Sequence, residues 1–179
     1  MKNAFVAREE PDLEFVWHWF EFQVSLLSEA RTHILSPARP ALAGRGYEAQ
    51  FAGLAAQEID RFFVTQKEQL ELMTMFELLA TVEAILRLDF QQRVDQKRKD
   101  EVSRQFRMIA KRTSKARLDE DILEVWKSEG GVEVSDFRAA LKLRHWLAHG
   151  RHWHPKLGQG FDSADVFRIS EELLMGIVS

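Results

Sequence analysis

The chain has 179 residues, 45% hydrophobic and 30% charged, with nine Gly, four Pro, no Cys and a net charge of −3. Such a chain can bury a core without staples, which excludes disordered, collagen-like and disulfide-framed proteins, thiolate metal sites and cysteine nucleophiles. The length fits one domain, residues 1–179.

The first stretch, Met1 to Pro11, has no apolar core of the kind a secretory leader needs, and no run of 18 apolar residues offers a membrane span. A cytoplasmic protein without membrane contact is expected. Leu13 to Leu35 then predicts a helix, with Phe15, Trp19, Phe22, Leu26 and Ala30 as its apolar stripe. Trp17 and Trp19 fall on near-opposite sides, so one of them is available for an interface unless both fill the core. Pro37 and Pro40 end this helix, and Ser36–Gly46 reads as a loop.

A helix restarts near Tyr47 and runs to about Val64. The longest periodic run follows, from Gln66 to about Gln96, with Leu72, Phe76, Leu79, Leu86 and Phe90 on the predicted buried face and Ala80 as a small member. Charge then changes abruptly. Residues 1–90 carry a net −6, residues 91–117 a net +7 and residues 118–179 a net −4. The basic block includes Arg104, Arg107 and Lys111 over a thin apolar stripe of Val102, Phe106 and Ile109. It reads either as a path for a phosphate backbone or as a solvated helix face balancing acidic neighbours.

Asp119–Ser128 predicts a short helix, stopped by Gly130 and Gly131. Ser135 and Asp136 are the predicted N-cap of a helix to about Gly150, and Asp162–Ser163 caps a last helix through Val178. No strand pattern emerges. The expected fold is all-α, with about six helices.

The helix over 135–150 carries the chemistry. At about 100° per residue, Arg138, Lys142, His145 and His149 form one polar stripe, while Arg144 falls inside the apolar arc of Phe137, Ala140, Leu141, Leu143, Leu147 and Ala148. A guanidinium stays charged and is costly to bury alone, so Arg144 needs an acidic partner, a second subunit or a polar cleft. On the long helix Glu83 lies inside the apolar arc and Glu77 at its edge. Either is a candidate partner, and a pair that merely fixes helix register is the competing explanation. His145 and His149, one turn apart, have metal-ligand spacing, and His152 and His154 follow in the next loop. No acidic third ligand completes a set, and Arg144 and Lys142 repel a cation, so neither metal nor cofactor is expected. His149 before Gly150 also suits a helix C-terminal cap.

The stretch Leu143-Arg144-His145-Trp146-Leu147-Ala148-His149-Gly150-Arg151 resembles the motif of the higher-eukaryote and prokaryote nucleotide-binding (HEPN) superfamily. That motif is an Arg, four to six residues and then a His, often with a polar residue straight after the Arg and frequently ending Ala-His-Gly. Arg144, His145 and His149 match it, although His145 stands where Asn or Asp is common. The resemblance implies a helical domain that dimerises so that two motifs meet. It implies metal-independent cleavage of RNA, with Arg144 and His149 catalytic, His145 beside them and Glu83 or Glu77 as the supporting acid. Lys142 and Arg151 would add positive charge near the cleft, and Arg104, Arg107 and Lys111 would guide RNA outside it. Members serve as toxins or defence effectors with an antitoxin or regulatory protein as partner; others are non-catalytic modules that bind nucleotide, RNA or protein.

Overall fold

The structure, a computed structural model, describes residues 11–36, 46–149 and 160–178, and all regular structure among them is helical. Six α-helices follow in order: α1 (Leu13–Leu35), α2 (Ala56–Asp95), α3 (Glu101–Arg112), α4 (Glu124–Ser128), α5 (Ser135–Ala148) and α6 (Ser163–Val178). A 3₁₀ turn over Tyr47–Phe51 precedes α2, and a wide π turn over Leu118–Leu123 runs directly into α4. No helix among the described residues is long and apolar enough to cross a membrane.

The 40-residue helix α2 is the spine against which α1, α3, α5 and α6 pack. Its sequence contains neither Gly nor Pro, so nothing breaks it where a boundary between two helices was expected near Val64. The buried face changes along its length. The early turns bury Ile59 and Phe63 in a small cluster with Ile34 and Phe51. Later turns bury Met75, Leu78, Leu79, Val82 and Leu86 in the main core. One continuous helix thus presents different faces to different neighbours. Residues 47–51 form only the 3₁₀ turn, and α2 starts at Ala56, where Glu58 Oε2 accepts the Ala55 N–H at 2.8 Å.

Helix α1 buries a different face from the predicted one. Leu13, Val16, Phe20 and Ile34 face inward, whereas Phe15 and Phe22 are 67% and 59% exposed and Leu26 is exposed too. Two apolar stripes share this helix, and the periodicity alone does not rank them. Trp17 stacks on Phe167 of α6 with ring centroids 4.7 Å apart, while Trp19 is half-buried. Helix α1 ends at Leu35, and Ser36 is extended, as suits a residue before proline.

Local caps follow the side chains available. Asp100 accepts the Ser103 N–H at 2.9 Å at the start of α3, and Asp162 and Asp165 cap each other's N–H groups ahead of α6. For α5 the expected Ser135 cap is replaced. Ser135 is the first helical residue, and Glu133 Oε1 accepts its N–H at 2.8 Å. The Gly130–Gly131 stop stands: Gly131 has φ +66°, and a Cβ on Gly130 would lie 2.5 Å from the Trp126 ring.

Candidate functional site

Helix α5 packs between α2 and α6, burying Phe137, Ala140 and Leu143. This rotation aims Arg144 at α2. Its Nη2 lies 2.7 Å from Oε2 of Glu83, with the two side chains 33% and 16% exposed. The guanidinium carbon sits 5.9 Å from the centroid of the Phe76 ring, at the outer limit of a cation–π contact.

Glu83 serves a second cation. Its Oε1 accepts from Nε of Arg87 at 2.8 Å, one turn further along α2, and Arg87 Nη1 donates to the Ala116 carbonyl at 3.0 Å. One carboxylate thus sits between two guanidinium groups, and the trio carries a net positive charge. The contact of Arg144 with Glu83 is a close ion pair without hydrogen-bond alignment. Arg144 Nε and Glu83 Oε2 are both buried with no hydrogen-bond partner among the described residues. Orphaned polar atoms of this kind are rare and call for an explanation.

Beside this cluster runs an open groove of about 610 Å³, lined by Gln69, Leu72, Met73, Phe76, Glu77 and Ala80 of α2 and by Leu147 and Ala148 of α5. Phe76, expected in the core, is 37% exposed at its wall. Glu77 is exposed in the groove and forms no ion pair among the described residues; Glu83 is the acid that holds Arg144.

The histidines occupy another side of α5. His145 and His149 are both exposed, with ring centroids 4.3 Å apart and planes at 55°. The helix ends at Ala148, and the His149 N–H bonds to the His145 carbonyl at 3.2 Å. Helical geometry separates the directions of Arg144 and His149 by about 140°. A single chain therefore does not gather these two side chains into one cluster.

Further along the same stripe, Arg138 reaches the π turn, pairing with Asp119 Oδ1 and with Glu124 Oε2 at 2.7 Å. Glu124 and then Asp119 hold its guanidinium above its ordinary range, against the opposing effect of burial. Arg138 is thereby committed to the acidic turn. Lys142 is exposed, and Arg151 lies outside the described residues.

The basic segment is locally neutralised in part. Arg104 pairs with Glu101 at 2.7 Å, Arg107 donates to the Arg98 carbonyl at 2.6 Å, Arg112 pairs with Asp121, and Arg93 with Asp89 and Asp100. Lys111 is exposed. Helix α3 packs on α2 and α4, and among the described residues no ion pair or hydrogen bond joins Arg104, Arg107 or Lys111 to the Arg144 cluster; Arg87 reaches the segment after α3 through the Ala116 carbonyl. Arg87 was not singled out from the sequence, although its spacing of four from Glu83 is a readable signal. No protein-family model, no curated protein and no solved structure matches this chain.

Proposed function

We propose that the protein is a metal-independent endoribonuclease of HEPN type, acting as a dimer whose two α5 helices build a shared site. The supporting observation is the state of Arg144: anchored to Glu83, about one-third exposed, and against Phe76, which lines an open groove. A phosphate oxygen is a suitable acceptor for the part of such a cation that solvent reaches.

The chemistry asks little more. The 2′-hydroxyl of RNA attacks the adjacent phosphorus while His149 takes its proton. The bond from phosphorus to the 5′-oxygen breaks, and that oxygen receives a proton from an imidazolium, His145 or the partner copy's His149 being the candidates. Arg144 stabilises charge on the pentacoordinate phosphorus. The products are a 2′,3′-cyclic phosphate and a 5′-hydroxyl. The divergence of Arg144 and His149 within one helix makes the second copy part of the mechanism. Toxin or defence roles, with an antitoxin-like partner, belong to the same reading.

Incubation of total RNA in EDTA tests it. Wild type cuts and His149→Ala does not. If neither cuts while the protein still dimerises, the second reading stands, a non-catalytic module that binds RNA, nucleotide or a partner protein. The separation of Arg144 and His149 on α5 favours that alternative.

A further inference from the structure

We infer that His145 and His149 form a site for a divalent transition-metal ion of the imidazole-seeking kind, with Zn²⁺ as the natural probe. The rings are one helical turn apart, exposed, and 4.3 Å between centroids. Two imidazoles sharing a Zn²⁺ through bonds of about 2.0–2.1 Å place their centres roughly 5 Å apart. Small side-chain rotations therefore open the pair into a chelate. The site lies at the C-terminal end of α5, where the helix dipole favours a cation.

One electrostatic objection is removed. Of the two cations that argue against a metal in the sequence, Arg144 is turned to α2 and paired with Glu83. Only Lys142 remains, on an exposed and solvent-screened position. Among the described residues no group of three or more ligating side chains exists, and the two imidazoles are the protein ligands of the proposed site. Two imidazoles suit an ion that comes and goes, with Cu²⁺ held more tightly than Zn²⁺. An ion on His149 consumes the lone pair that proton transfer requires, so it would inhibit cleavage. That consequence rests on the ribonuclease reading; the binding itself does not.

Calorimetric titration of the full chain with ZnCl₂ tests the site, using wild type, His145→Ala, His149→Ala and the double variant His152→Ala/His154→Ala, each checked for helicity by circular dichroism. One ion per wild-type chain is expected, and each single variant should weaken binding about tenfold or more. Absence of Zn²⁺ binding overturns the site, as does unchanged affinity in either single variant or a loss confined to the double variant. Cleavage in saturating Zn²⁺ separates the two claims. If the ion binds the pair and wild type still cuts RNA, the role of His149 fails and the metal site stands. If Zn²⁺ does not bind and His149→Ala is inactive, the reverse holds.

Discussion

Glu83 of α2 and Arg144 of α5 form an ion pair of 2.7 Å that ties the motif helix to the spine of the molecule. Because Glu83 also holds Arg87, its loss leaves two half-buried guanidinium groups without their carboxylate. Glu83→Ala should cost about 1–3 kcal/mol, less than for a fully buried pair because both partners retain some water. Arg144→Ala should cost less, since Glu83 keeps Arg87. Urea denaturation of the single and double variants checks this order, with non-additivity expected between the two sites.

Arg87 positions Glu83 and acts on Arg144 only through it. Its Nε and Nη2 face Glu83 while Nη1 holds Ala116, a three-point geometry that an ammonium does not reproduce. Arg87→Lys should lower RNA cleavage about 10–100-fold with stability nearly unchanged. Single-turnover cleavage beside a urea curve measures both. A variant that unfolds, or one that cuts at full rate, contradicts the assignment.

The turn leading into α4 should make stability fall in acid. Asp121 is buried, and the Arg117 N–H, donating at 2.8 Å, is the first cause of its lowered pKa; burial opposes the shift, and the charges of Arg117 and Arg112 reinforce it. A carboxyl depressed in the folded state contributes stability above its unfolded pKa, near 3.9. That contribution disappears as pH falls through the lower folded value. Asp121→Asn should therefore destabilise the protein at pH 7 by about 1–3 kcal/mol, with the difference shrinking as the pH falls below the unfolded value. Thermal melts across pH 2–7 read the difference.

The two faces of α1 give the sharpest test of the packing. Phe20→Ala should cost about 3–5 kcal/mol because Phe20 is buried, whereas Phe22→Ala should stay within about 0.5 kcal/mol of the unfolding energy of the isolated chain. Equal costs would mean that the exposed stripe is covered.

Much of this is legible in the sequence. The cap at Asp162 uses a short polar side chain just ahead of apolar periodicity, and Gly130–Gly131 marks a stop whatever the tertiary context. Arg144 and Glu83 each announced themselves as charges inside an apolar arc, and each belongs to the other. Three things were hidden. Helix α1 carries two apolar stripes, and only the positions of α2 and α6 decide which one is buried. Helix α2 changes its buried face along its length, which imitates a break in a sequence that has none. The choice between Glu83 and Glu77 likewise depended on how α5 is rotated, which no single-helix projection contains.

The shared-site claim also sets the association state: light scattering should give twice the chain mass at micromolar concentration, and a strictly monomeric mass removes the two-copy mechanism.

Subunit mixing tests the central claim most directly. Arg144→Ala and His149→Ala are each expected to be inactive on RNA in EDTA. Mixed, partly unfolded together and refolded, they should regain cleavage and yield 2′,3′-cyclic phosphate ends, because a mixed dimer pairs an intact arginine from one copy with an intact histidine from the other. A refolded mixture that stays inert beside an active wild-type control would contradict a site built from two chains.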